Sequence, residues 1–236
     1  MPQVQGAEID PGAVIHGNFI NYYSFHPSHE RTVNFHPSML PTPLPNEDVV
    51  CLDVGCNTGE LTKELYNYLL SIYPLSNIKI LAVDIDPILI ERAMEQNDNS
   101  NITYIALDIM SNEGQEKIKN FLKSHNKKKF DVIFCFSVTM WIHINKGDDG
   151  LEEFLKTITT LSRSIVVEPQ PWKCYGKAQR RLKRAGSCFP LFDKLKIRND
   201  VDTVIETILL QNNTVKVYES PYSAWNRKIQ SFHVTF

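Results

Sequence analysis

Between Asp53 and Gly59 the chain reads Asp53-Val54-Gly55-Cys56-Asn57-Thr58-Gly59, an acid, an amide and two glycines in one short stretch. Glycine lets a backbone approach a ligand closely. The pattern is Gly-x-x-x-Gly, which is a poorer pyrophosphate cradle than the Gly-x-Gly-x-x-Gly of dinucleotide sites. Asp84 follows 29 residues beyond Gly55, and Asp108 follows later. A carboxylate at the position of Asp84 accepts both hydroxyls of a ribose. Asp108 is then a candidate acceptor for a purine amino group. These residue types describe a pocket for a nucleoside with a small zwitterionic tail, which fits S-adenosylmethionine better than NAD. Asp86, just before Pro87, reads as a helix N-cap rather than a ligand.

Residues so far apart in sequence meet only if the fold brings them together. Residues 49–54 form a short apolar run ending in Gly55, the pattern of a buried parallel strand. Further strands are expected at 78–83, 102–107, 130–136 and 164–167. Helical spacing is expected at 60–73, 88–96, 149–161, 175–185 and 200–210, with a lysine-rich helix and loop over 113–129. Two closing strands are expected at 214–218 and 228–235. Strands alternating with helices at this spacing make a mostly parallel sheet covered on both faces. Right-handed crossovers bring the strand ends to one edge, where such sheets bind ligands. Asp53, Asn57, Asp84, Asp108 and Ser137 should converge there. Residues 1–48 carry seven of the thirteen prolines and an aromatic cluster around Tyr22 and Tyr23. They read as an irregular arm or lid packed on a core domain spanning 49–236.

Composition narrows the function classes. At 236 residues, with 42% hydrophobic and 22% charged residues, the chain is long and apolar enough to fold as a globular unit. No run of 18 apolar residues suggests a membrane span. The first residues carry neither a basic nor an apolar signal region, so a cytoplasmic or nuclear location is expected. Five cysteines without a Cys-x-x-Cys pair suggest free thiols and no zinc site. The formal net charge is only −2, yet nine basic residues and one acid lie between Lys173 and Arg198. Lys177, Arg180, Arg181 and Arg184 fall on one stripe of a helix, and Ala178, Leu182 and Ala185 on the other. Such a patch suits a polyanion approaching one face.

Several stretches resemble the Bicoid-interacting family of RNA methyltransferases. They are Leu52–Gly59, Asp84-Ile85-Asp86-Pro87, Ser137-Val138-Thr139-Met140-Trp141-Ile142-His143 and Glu168-Pro169-Gln170-Pro171-Trp172-Lys173-Cys174-Tyr175. The run Tyr23-Ser24-Phe25-His26-Pro27 with Arg31 is similar to the branch that methylates RNA 5′-monophosphates rather than the one that caps small nuclear RNA. The resemblance implies a class I, Rossmann-like methyltransferase fold with a seven-stranded sheet, and S-adenosylmethionine as cofactor. It implies that Arg31, Asn57, Asp84, Asp108 and Ile109 contact that cofactor, Arg31 by pairing with its carboxylate. Asp53, Gly55, Gly59 and Ser137 complete the expected cofactor set.

The implied reaction moves a methyl group to an oxygen of a 5′-terminal monophosphate, on an RNA of histidine-tRNA or microRNA-precursor type. A phosphate monoester is mostly dianionic at neutral pH, so no general base is required. Lys173, His143 and Tyr23 are the expected catalytic residues. Tyr22, His26, Trp172, Lys177, Arg180, Arg181 and Arg184 are expected to hold RNA. The protein is expected to act as a monomer without metal or membrane. The competing expectations are methylation of the γ-phosphate of triphosphate RNA and a non-catalytic RNA-binding scaffold.

Overall fold

A computed structural model of the chain describes residues 11–42 and 47–235. The prolines at positions 2, 43 and 45 therefore lie outside the described residues. The N-terminal segment holds three short helices, α1 (Pro11–His16), α2 (Tyr22–Phe25) and α3 (His29–Thr32), then a 3-10 turn at Pro37–Met39. The described residues of the expected arm are short helical turns rather than irregular chain, and they pack on the core. Met39, Leu40 and Val14 are buried. Tyr73 donates to the Pro41 carbonyl at 2.6 Å, Ser231 to the Met39 carbonyl at 2.6 Å and Tyr218 to the Asn34 carbonyl at 2.8 Å.

The core alternates as expected. In chain order the elements are β1 (Val49–Val54), α4 (Glu60–Ile72), β2 (Ile78–Asp84), α5 (Pro87–Glu95), β3 (Ile102–Ala106) and α6 (Asn112–Ser124). There follow β4 (Val132–Phe136), α7 (Thr139–Leu161), β5 (Ser164–Glu168), α8 (Trp172–Arg184), α9 (Val201–Gln211), β6 (Thr214–Glu219) and β7 (Gln230–Val234). The sheet order is β3-β2-β1-β4-β5-β7-β6. All pairs are parallel except those of β7, which runs antiparallel to both β5 and β6.

Every residue of β1, β4 and β5 is buried, which is why these segments show continuous apolar runs rather than alternation. Two apolar layers cover the sheet, one built on Leu52, Ile133 and Phe154 and the other on Leu65, Ile80 and Phe134. The strand order reverses between β1 and β4, and a crevice opens outside the strand ends there. Asp86 caps α5 as expected, its Oδ1 accepting from Ile88 N at 2.8 Å. The helix expected at 149–161 is longer, beginning at Thr139 and breaking at Gly147, where φ is +81°. The specific stretch after β4 is therefore helical. Ala178 and Leu182, expected on the inner stripe of α8, are buried together with Tyr175 and Gln179, whereas Ala185, expected there too, is exposed.

Candidate active site

Two cavities meet at the carboxyl edge of the sheet. The first has a volume of ≈ 160 Å³ and is lined by Gly55, Asn57, Asp84, Asp108, Ile109 and Ser137, six of the expected cofactor residues. Its remaining wall is largely apolar, from Val83, Ile85, Leu107, Val138 and Ile142. Gly55 has φ +78°, and a Cβ there would lie 3.2 Å from Val138 Cγ2, so only glycine brings the backbone to this wall without strain. Asp84 accepts from Asn57 N at 2.9 Å and from Asp86 N at 3.0 Å. Burial raises its pKa, although those backbone bonds favour the anion. The two bonds fix the carboxylate at the tip of β2 and leave lone pairs for a diol. Asp108 Oδ1 accepts from Met110 N at 2.8 Å, and Lys146 lies 3.8 Å from its other oxygen. An apolar slot with a fixed carboxylate along one side and a second acid at its rim matches an adenosine.

The N-terminal segment roofs this slot. His16, Gly17, Asn18 and Tyr22 line it, which sequence reasoning anticipated only for Tyr22. Asn57 donates to the Phe19 carbonyl at 3.0 Å, Asn145 to the Ile15 carbonyl at 2.9 Å, and Asn18 to Asp86. Gly17 lies flat on Trp141, where any side chain would collide with the indole.

The second cavity is wider, ≈ 620 Å³, and shares Gly17, Tyr22, Ser137 and Trp141 with the first. Its wall carries Lys173, Lys177, Arg181 and Arg227 and no carboxylate, with His26, Phe25, Phe19 and Trp225 as its rings. His26 is pushed down to about 4, by burial first and by Arg227 and Arg31 next, so its imidazole is neutral at physiological pH.

Several expected residues stand elsewhere. Arg31 lines neither cavity. It is fully buried, with Nε 2.8 Å from Glu168 Oε2 and Nη2 donating to Glu168 Oε1, Ser137 Oγ and Tyr22 Oη at 3.1, 3.0 and 2.7 Å. It pairs with a protein carboxylate rather than facing the cofactor slot. Burial alone would raise the Glu168 pKa, but Arg31 and Arg227 outweigh it and hold the group below its usual range. Asp53 lies beneath the slot, accepting from Thr62 Oγ1 at 2.7 Å, and burial pushes it up to about 6. Gly59 (φ +80°) begins α4 against the Tyr104 ring and does not reach the cavity wall.

Two of the three expected catalytic groups line neither cavity. His143 is fully buried, its Nδ1 2.9 Å from Tyr175 Oη and its Nε2 2.8 Å from Asp148 Oδ1. Burial lowers its pKa, so the contact with Asp148 is a hydrogen bond of a neutral ring. Asp148 also accepts from Lys196 N at 2.8 Å and Ile197 N at 3.2 Å, and this clasp ties the loop after α8 to α7. With both nitrogens engaged, His143 has none left for a phosphate. The Tyr23 hydroxyl donates to the Cys56 carbonyl at 3.2 Å and accepts from Leu61 N at 3.3 Å. It pins the glycine loop, and burial raises its pKa well above the ordinary value. Lys173 remains at the wall of the second cavity.

The basic stripe divides. All four are exposed, but only Lys177 and Arg181 line the second cavity; Arg180 and Arg184 do not reach it. Trp172 stacks on Tyr175 and Phe192, at 4.8 and 5.4 Å between ring centres, and lies outside the cavity wall. Glu168, Trp225 and Arg227 were missed as site residues. Glu168 sat inside a stretch already singled out, but Trp225 and Arg227 carry no local signal. No group of His, Cys, Asp and Glu among the described residues could hold a metal, and no described helix is long and apolar enough to cross a membrane.

Comparison with known proteins agrees with this geometry. Residues 130–234 match the family model described as Bicoid-interacting protein 3, and residues 52–164 match a methyltransferase domain. The pre-miRNA 5′-monophosphate methyltransferase of Xenopus laevis is 39% identical over 96% of this chain and 94% of its own. The RNA 5′-monophosphate methyltransferase of Homo sapiens is 37% identical over 94% of this chain and 81% of its own. Among solved structures, human N-acetylserotonin methyltransferase in complex with S-adenosylmethionine shares the fold at TM-score 0.56 and 14% identity, over 96% of this chain and 57% of that one. The N-methyltransferase NodS of Bradyrhizobium japonicum does so at TM-score 0.53 and 15% identity, over 92% and 99%.

Proposed function

We infer the reaction from the premise that this chain belongs to the Bicoid-interacting protein 3 family of RNA methyltransferases, beside the 5′-monophosphate enzymes it matches. The chain is an S-adenosylmethionine-dependent RNA methyltransferase that acts on a 5′-terminal monophosphate. One observation carries this reading: the adenosine-shaped slot and the cation-lined cavity share Gly17, Tyr22, Ser137 and Trp141. A phosphate held in the second cavity faces the tail end of a nucleoside held in the first.

The cofactor supplies a methyl group on a sulfonium. Asp84 and Asp108 orient its nucleoside, and Gly55 and Asn57 bound its tail. Lys173 reaches the acceptor phosphate from the start of α8, and neutral His26 and Tyr22 bound its other side. The acceptor is already an anion, so no side chain has to remove a proton. Charge is lost as acceptor and donor approach, and cations that gripped the phosphate too tightly would slow the reaction. The residues therefore act by alignment, which is worth about 7–11 kcal/mol in favourable systems. Lys177 and Arg181, with Arg180 and Arg184 farther along α8, lie where the backbone of a stem can follow the phosphate end.

The substrate proposed is a small stem-ended RNA, of histidine-tRNA or microRNA-precursor type, bound by a monomer in the cytoplasm or nucleus. All five cysteines are free thiols, which suits a reducing compartment. Labelled methyl transfer to one stem RNA bearing a 5′-monophosphate, triphosphate or hydroxyl end tests the reading. Transfer to the monophosphate alone supports it. A preference for triphosphate, or cofactor binding without transfer to any end, overturns it.

A further inference from the structure

Buried hydrogen-bond donors lie together beside the second cavity without an acceptor among the described residues. They are Arg227 Nε, Trp225 Nε1 and Arg31 Nη1, with His26 Nδ1 beside them. Their rings and guanidinium groups interlock: His26 meets Trp225 edge-on at 4.9 Å, and Arg31 Cζ lies 5.2 Å from the Trp225 ring centre. Arg227 donates from Nη1 to Ser137 Oγ at 2.5 Å and to Glu168 Oε1 at 3.2 Å. Glu168 is thus shared by two arginines, each nearly buried.

One carboxylate between two guanidinium groups leaves a surplus positive charge. Burying such a charge, and leaving N–H groups unmatched beside it, is unfavourable unless an acceptor completes the set. The described residues do not supply that acceptor: the cavity wall they form holds four cations and no acid. Planar N–H groups at a charged centre are the geometry that recognises phosphate oxygens. The connection between β6 and β7 carries Trp225 and Arg227, so the C-terminal hairpin reaches the same cavity that α8 lines with Lys173, Arg227 Nη2 lying 4.0 Å from Cys174 Sγ.

We propose that Arg227 is a substrate-binding residue that holds the terminal phosphate from the β6–β7 connection, with the Trp225 N–H beside it, and that Glu168 is the positioning residue that aims Arg227. This rests on the reading of the second cavity as the phosphate chamber. Glu168 and Ser137 each accept from Arg227 Nη1 and together hold the guanidinium group, and Arg31 locks Glu168 from behind. The phosphate is then held between Arg227 and Lys173, at the boundary with the cofactor slot.

The test compares binding of one short stem RNA with a 5′-phosphate or a 5′-hydroxyl end to the full chain, alongside calorimetry with S-adenosylhomocysteine. Wild type should prefer the phosphorylated end. Arg227→Ala should shrink that preference roughly tenfold or more, Arg227→Lys less, and Trp225→Phe a few-fold, with cofactor affinity retained. Glu168→Gln should shrink the phosphate preference while affinity for the hydroxyl end stays; equal weakening of both RNAs would mark a merely structural role and overturn that assignment. An undiminished preference in Arg227→Ala overturns the proposal while leaving the methyl-transfer reading intact. Should that variant not fold, undiminished preference in both Arg227→Lys and Trp225→Phe does the same. A matching loss of S-adenosylhomocysteine affinity assigns Arg227 to the cofactor carboxylate and also overturns it. Wild type without any phosphate preference sinks the chamber itself, a result distinct from the others.

Discussion

Asp84 and Asp53 sit one strand apart and are both buried acids, yet their partners give them different work. Asp84 is fixed by two backbone N–H groups at the cavity wall. Asp84→Ala removes the acceptor for a diol and should weaken S-adenosylhomocysteine binding by about 2–3 kcal/mol, read by calorimetry; unchanged affinity would refute the ribose role. Asp53 has a single hydroxyl donor, Thr62, and burial raises it to about 6. Between its unfolded value near 4 and about 6 the folded state binds the extra proton. Its ionisation therefore lowers stability as pH rises through that window, and the cost is constant above it. Asp53→Asn keeps an acceptor for Thr62 and removes the charge. It should stabilise the fold by about 1–2 kcal/mol at pH 7 and by much less at pH 4.5. Denaturant melts at the two pH values check this, and an equal effect at both refutes it.

At the scale of elements, α8 joins two functions on one cylinder. Its inner face, with Tyr175, Ala178 and Leu182, docks on the core, and its outer face carries the cations. Its N-terminal turn delivers Lys173 to the chamber. The clasp of His143, Asp148 and Tyr175 locks α8 against α7, so the basic face is held at a set angle to the phosphate end. Replacing Arg180, Arg181 and Arg184 together by Gln should weaken RNA binding and reduce the slope of log affinity against log salt by about 2, at roughly 0.7–0.9 per lost phosphate contact. Cofactor affinity should be unchanged. A wild-type slope in the triple variant would exclude α8 from the RNA track. The helix begins and ends close to where periodicity put it, but which cations enter the cavity depended on its rotation. Spacing groups Lys177, Arg180, Arg181 and Arg184 on one stripe. Only packing separated Lys177 and Arg181, at the cavity wall, from Arg180 and Arg184, equally exposed but away from it.

For the whole molecule, the balance of ionisations sets the pH dependence of the reaction. His26 and His143 are both held below their ordinary values by burial, so neither charges near neutrality. The rate should rise with pH through about 6, as the terminal phosphate takes its second charge, and then level off. A 5′-phosphorothioate RNA, whose end ionises at lower pH, should move the inflection downward. Asp53 titrates in the same region, and Asp53→Asn should leave the inflection in place. A continued rise toward pH 9, or an inflection that follows Asp53 rather than the substrate, would refute this account.

The order of strands and helices, the glycine loop and the acids at the tips of β1, β2 and β3 were legible in the sequence. Burial on both faces writes itself as continuous apolar runs, and a parallel sheet forces strand ends to one edge. The family stretches after β4 and β5 were legible too, but not the roles within them. His143 and Tyr23 have the chemistry of catalytic groups, and only the tertiary structure shows that their polar atoms are engaged by Tyr175, Asp148, Cys56 and Leu61 away from both cavities. Arg31, Glu168 and Arg227 come from three distant segments and have no common period or spacing. Their meeting is decided by the antiparallel return of β7 beside β5 and by the folding of the N-terminal segment over the cleft. A charge network of this kind exists only where tertiary packing removes water from between its members.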